Sequence, residues 1–128
     1  MSCDAAVAIV MVTYQPHRSS LLENLRQAML QAGQVFLVDN GSDAAALQGI
    51  DELPGLRVER LGNNVGIAAA QNLGVSLARK LGYEWILFLD QDSCLHAGCV
   101  PALKSAYLHL ENNGIPVAAV GAAYFNDT

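Results

Sequence analysis

The apolar runs of this chain are short, rich in β-branched residues and regularly interrupted, and that pattern limits the fold more than any other feature. Val7 to Val12 is a continuous run of the kind needed by a strand buried on both faces. Val35 to Val38 and Trp85 to Leu89 repeat it, and Pro116 to Val120 reads as a fifth strand. Leu56 to Arg60 is weaker. Its imperfect alternation of Leu56, Val58 and Leu61 suits a sheet edge.

Helical spacing fills the gaps. Ser20 and Glu23 give a capping-box signature, with Leu22, Leu25, Met29 and Ala32 on one face behind it and Gly33 at the cap. Asp43 is placed to cap a short helix over Ala44 to Ile50, and Pro54-Gly55 marks a turn. Ala70, Leu73, Leu77 and Leu81 form a second stripe closed by Gly82. Pro101 opens a third helix through Leu110, with Leu103, Tyr107 and Leu110 on one side. Strands and helices alternating at this spacing imply right-handed βαβ crossovers. The expected class is therefore α/β, a Rossmann-like three-layer sandwich around a mostly parallel sheet.

At 128 residues the chain has the length of one domain. Hydrophobic residues at 52% against 15% charged give enough core material to exclude a disordered segment. The net charge of -5, from seven Lys plus Arg against twelve Asp plus Glu, argues against nucleic acid as a partner. It leaves a nucleotide open, since a divalent cation can supply positive charge. Cys3, Cys94 and Cys99 complete neither a disulfide framework nor a zinc site and read as free thiols. No leader is visible, and the longest apolar run is far below the ~20 residues that cross a bilayer. The expected location is cytoplasmic, with peripheral association at the inner face of the membrane.

Polar residues gather just after the apolar runs: Thr13 and Tyr14, Asp39 to Ser42, Asn63 and Asn64, Asp90 to Ser93. In a parallel sheet all of these fall on the carboxyl edge, where ligands bind. Taken singly, each cluster could be ordinary turn chemistry. Asp90-Gln91-Asp92 is the sharpest, because two carboxylates at a strand mouth repel unless a cation arrives. Hard oxygen ligands select Mg2+ or Mn2+. Such an ion could bridge a carboxylate to a diphosphate leaving group. His96, close by, reads as a solvated loop histidine. Gly62 to Gly66 lacks the ending of a P-loop, and neither a dinucleotide fingerprint nor a nucleophile elbow is present.

Four segments in order, Val10 to Tyr14, Val38 to Ser42, Asn64 to Gly74 and Leu89 to Ser93, resemble family 2 glycosyltransferases. The last two are similar to bacterial rhamnosyltransferases that use dTDP-L-rhamnose. The resemblance implies the nucleotide-diphospho-sugar transferase fold. Residues 1–128 would be its amino-terminal, donor-binding part, incomplete at the carboxyl end. It implies that Thr13 and Tyr14 line the base pocket and that Asp39 accepts a hydrogen bond from the base. Asn64 and Gly66 would shape the nucleotide loop, Asp90 would lie near the ribose, and Asp92, with Asp90, would hold the metal. Gln71 stands where many family members carry Arg. It fits the rhamnosyl branch, and a plain helix-surface glutamine is the alternative. Asn72 lies off the apolar stripe and has no assigned role.

Family 2 enzymes invert at the anomeric carbon with a carboxylate base. That base is expected outside this chain, since Glu111 reads as a surface helix end and Asp127 as terminal. The implied partners are a nucleotide-sugar donor and a saccharide or lipid-linked acceptor. The 128 residues alone are expected to be inactive and to self-associate. Two other readings stay open on the sequence: a nucleotide-binding module without transfer, and a Mg2+-binding receiver-like regulatory domain.

Overall fold

The computed structural model of the chain describes residues 3–123. Its sheet has four strands, β1 (Asp4–Thr13), β2 (Ala32–Asp39), β3 (Leu56–Arg60) and β4 (Trp85–Asp90). They lie in the order β3-β2-β1-β4, and every pair is parallel. Helix α1 (Arg18–Gln31) joins β1 to β2, α2 (Ile67–Lys80) joins β3 to β4, and α3 (Cys99–Asn112) follows β4. The chain builds outward from β1 to β3 and then crosses back to the far side of β1. The reversal of strand order therefore falls between β1 and β4, which is where open α/β sheets bind their ligands.

The period-2 alternation of the central strands divides the core. Val7, Ile9 and Met11 of β1 and Val35 and Leu37 of β2 pack with Leu21, Leu25 and Ala28 of α1 and with Leu95 and Val100. Ala8, Val10 and Phe36 face α2 through Ala78. Each large aliphatic side chain so buried contributes about 1.5–3 kcal/mol. The α1 side holds most of them and dominates stability. The three-layer α/β expectation is met.

Helix α2 approaches the sheet on Ala70, Gly74 and Ala78, the buried positions of the helix, which are spaced by four. A side-chain carbon added at Gly74 would overlap Val10, so the helix backbone lies directly on β1. This turns the expected leucine stripe partly outward. Leu73 and Leu77 are half-buried, and Leu81 is 50% exposed.

Several local expectations are corrected. Helix α1 starts at Arg18 after His17, so Ser20 lies within its first turn. There its hydroxyl sits 3.1 Å from His17 Nδ1 and makes no capping box. Gly33 is no cap, because Ala32 ends α1 and already begins β2. Gly33 instead lets the strand pass close to Ala5 O, which a β-carbon would overlap. Asp43 precedes only a single 3-10 turn, Ala44–Leu47, without a side-chain cap. Gln48, at ψ 122°, ends the turn, and Gly49 follows at φ 79°. Residues 116–120 form no strand. Pro116 offers no N–H, the Val117 N–H is taken by Glu111 Oε1 at 3.0 Å, and among the described residues β4 pairs only with β1.

The edge position of β3, the helix opened near Pro101 and the free state of all three cysteines are as expected. Burial pushes the Cys99 thiol above its ordinary pKa, which keeps it protonated. No described helix is long and apolar enough to cross a membrane.

Candidate functional site

Strand register sets the row of groups along the carboxyl edge. Thr13 pairs with Asp39, Asp39 with Arg60, and Val12 with Asp90. The segments that follow these residues are therefore neighbours, and Thr13, Tyr14, Asp39, Asn64, Gly66, Asp90 and Asp92 come to one edge. Gln71 lies in the second turn of α2 and is half-buried, while Asn72 beside it is exposed.

Asp39 is the hub of the β2 end. Its carboxylate, 2% exposed, accepts from Thr13 Oγ1 at 3.1 Å and from Ser42 Oγ at 2.5 Å on Oδ1. On Oδ2 it accepts from the Ser42 N–H at 3.0 Å. The ladder also continues one step past the strands, with Asn40 N–H donating to Thr13 O at 2.7 Å and Leu61 N–H to Asp39 O at 2.9 Å. A buried carboxylate with three donors is stable without a cation. The Ser42 hydroxyl in turn accepts the N–H of Gln15 at 2.9 Å, and Gln15 takes a left-handed φ of 44°. The loops after β1 and β2 are thus tied together.

Asn40, 3% exposed, performs the same task for the loop before α2. Its Nδ2 donates to Asn64 Oδ1 at 3.1 Å, and its Oδ1 accepts the Val65 N–H at 2.9 Å. Asn64 Oδ1 also accepts the Gly66 N–H at 2.9 Å. Gly41, at φ 95°, stands where a β-carbon would come within 2.7 Å of the Asn63–Asn64 backbone. Side-chain amides and one glycine thus shape the nucleotide loop expected around Asn64 and Gly66.

Asp90 and Asp92 differ from Asp39 in every respect. Both are exposed, and neither has a salt bridge among the described residues. Between them Gln91 turns inward. Its Oε1 accepts the Tyr14 N–H at 2.9 Å, and its Nε2 donates to Tyr14 O at 3.3 Å. Tyr14 itself presents its ring to solvent at 49% exposure. Among the described residues no three His, Cys, Asp or Glu side chains cluster for a metal. Two exposed carboxylates are too few to cage an ion alone, but they suit Mg2+ or Mn2+, which keep water and substrate phosphate as further ligands. His96 is exposed, and only its carbonyl is engaged, accepting from Gln31 Nε2 at 2.8 Å.

Two shallow concavities of about 380 and 350 Å³ lie at the opposite end of the sheet, by Asp4 and Lys104 and by Ala5 and Trp85. They border the starts of β1 and β4, away from every polar cluster. Concavity is therefore a poor guide here.

Sequence reading gave no individual role to Asn24, Asn40, Ser42 or Gln91. A signal existed for Asn24, a polar residue at a core-facing position between Leu21 and Ala28. Gln91 was hidden by the two aspartates that flank it.

An all-parallel Rossmann-like sheet with acidic and amide side chains gathered on its carboxyl edge is consistent with the nucleotide-diphospho-sugar transferase class of α/β fold. The profile of glycosyl transferase family 2 matches residues 8–124, and the chain belongs to that family. It is 33% identical over 103 residues to the dTDP-rhamnosyl transferase RfbF of Shigella flexneri. The match takes in 80% of this chain and 34% of that protein, so the chain spans about a third of its relative's length.

Proposed function

We propose that this chain is the donor-binding part of a glycosyltransferase that carries dTDP-L-rhamnose, and that the donor lies across the carboxyl edge of the sheet. The observation that carries the reading is the contrast among the strand-end carboxylates. Asp39 is buried and already holds three donors, whereas Asp90 and Asp92 stand exposed beside the β1–β4 crevice without a salt bridge among the described residues. A diphosphate cannot approach two bare carboxylates unless a cation lies between them. Asp92 and Asp90 would hold Mg2+ or Mn2+, which would offset the charge of the departing nucleoside diphosphate. Tyr14, exposed at the end of β1, offers a flat apolar face for the base. Asp39 keeps one Oδ2 lone pair for a base N–H. Asn64 and Gly66 would give the backbone a close approach to the nucleotide, and Gln71, half-buried in the second turn of α2, would serve the diphosphate as a neutral donor.

The rhamnosyl choice is supported by the likeness to the Shigella protein, with a UDP-hexose as the alternative donor. In the complete enzyme a carboxylate base from outside these residues would deprotonate an acceptor hydroxyl on a saccharide or lipid-linked acceptor, and transfer would invert the anomeric centre. A nucleotide-binding module without transfer shares the donor chemistry and differs only in lacking that step. Family membership speaks against the receiver-like alternative.

Titration calorimetry with dTDP, with Mn2+ and then with EDTA, tests the core of the reading. Binding should tighten with metal, and binding indifferent to EDTA removes the cation from the proposal. A thermal-shift panel of dTDP-rhamnose, UDP-glucose and UDP-N-acetylglucosamine tests the donor. A preference for either UDP-sugar removes the rhamnosyl assignment.

A further inference from the structure

We propose that Gln91 and Asn24 are positioning residues for the acidic triplet, holding Asp90 and Asp92 in a fixed relation to the end of β1. The proposal rests on the donor reading above. Strands β1 and β4 are ladder partners up to Val12 and Asp90, and the chain order reverses at this pair. Beyond the last pair, parallel strands are free to splay and open a crevice. Here one carboxamide closes the gap. Gln91 Oε1 accepts the Tyr14 N–H at 2.9 Å while Gln91 Nε2 donates to Tyr14 O at 3.3 Å, so a side chain continues the sheet ladder where the backbone stops. Only an amide carries both a donor and an acceptor of this shape; a carboxylate would turn an oxygen toward Tyr14 O.

The same residue is held from behind. Asn24 Nδ2 donates to Gln91 O at 2.8 Å, and Asn24 is 5% exposed in the core-facing row of α1. Two turns further along that row, Gln31 fixes the far end of the loop. It donates to His96 O at 2.8 Å and accepts the Val100 N–H at 3.1 Å. Leu95, 5% exposed, is buried between these points. Asp90 and Asp92 therefore project from a segment anchored to β1 at Gln91 and to α1 at both ends. A fixed frame removes the ordering cost at binding.

The test uses Gln91→Met, which keeps the length of the side chain and removes both hydrogen-bonding groups, and Asn24→Leu, which keeps its branched shape. Titration calorimetry would measure dTDP affinity with Mn2+ and with EDTA, and amide exchange would follow the Tyr14 N–H. Both variants should lose about tenfold or more in the metal-dependent affinity, the range in which residues that orient metal ligands act. Affinity in EDTA should fall less than affinity with Mn2+, and Tyr14 exchange should quicken in Gln91→Met whether or not nucleotide is present. A wild-type chain with no metal-dependent dTDP binding overturns the donor reading, and this proposal with it. Metal-dependent binding in the wild type that is undiminished in Gln91→Met overturns the positioning role alone. Equal losses with and without metal also overturn it, since they indicate a merely structural residue.

Discussion

Thr13 and Asp39, ladder partners at the ends of β1 and β2, are joined a second time through their side chains, Thr13 Oγ1 donating to Asp39 Oδ1 at 3.1 Å. Both residues are almost fully buried, at 0% and 2% exposure. The carboxyl edge is thus built on a buried polar pair, and replacing either partner should damage the frame as well as any ligand contact.

Asp39→Asn is the sharper test of that frame. All three partners of the carboxylate are donors, so the amide NH2 must face one of them. Leaving a buried donor unsatisfied costs about 1–3 kcal/mol. Urea denaturation should show a loss of that size, together with weakened dTDP binding. Ser42→Ala, in a half-buried site, should cost less. Equal stability of Asp39→Asn and the wild type would show that the pair is not structural.

Asp92→Ala should behave in the opposite way. The side chain is exposed and has no salt bridge among the described residues, so little packing is lost. The metal-free melting temperature should hold or rise slightly as repulsion with Asp90 is relieved. Metal-linked dTDP binding should disappear. A large fall in metal-free stability would instead make Asp92 a structural residue.

The contact between α2 and the sheet can be tested by a coupled pair. Gly74→Ala places a methyl group against Val10, whose Cγ2 would lie 3.2 Å away and whose Cγ1 it would overlap. Over-packing of this kind costs about 1–3 kcal/mol. Val10→Ala alone should also destabilise, by leaving a cavity. The double variant should recover part of the loss, because each change fills or vacates the same space. Strict additivity of the two losses would mean that α2 does not rest on Val10.

The sequence made the fold legible because its signals were local. Strand runs such as Val7 to Val12, and the polar clusters behind them, follow from period and turn chemistry, and parallel βαβ connection leaves few alternatives. What it concealed depends on packing. Ser20 and Gly33 matched helix-end patterns, yet the end of α1 was set by the immediate start of β2 at Ala32. The leucine stripe of α2 misled because close approach to β1 selected Ala70, Gly74 and Ala78 instead. Residues 116–120 were apolar enough for a strand, but a strand is defined by a neighbour as well as by composition. At the site, chemically familiar residues such as Asp90 and Asp92 were readable. Asn24, Asn40 and Gln91 gain their meaning only from partners 24 to 77 positions away.

Acid should expose the role of a pair at the other end of the sheet. Lys104 Nζ lies 2.9 Å from Asp4 Oδ2, with side chains 23% and 21% exposed, and the same ammonium stands 5.2 Å above the Trp85 ring. The hydrogen bond from Lys104, followed by that from the Ala6 N–H, holds the Asp4 carboxyl below its ordinary pKa. A carboxylate depressed in the folded state binds its proton more readily when unfolded. Its stabilisation is therefore fully present above the unfolded value, about 3.9 for aspartate, and is lost as pH falls through the lower folded value. Denaturation of the wild type between neutral pH and strong acid should show a stability loss that Asp4→Asn lacks in that acid window. At neutral pH Asp4→Asn should be the less stable of the two. The pair bridges the start of β1 to α3, so the difference should also appear as faster amide exchange in α3. Parallel acid profiles for the two proteins would show that Lys104 and Asp4 do not interact in solution.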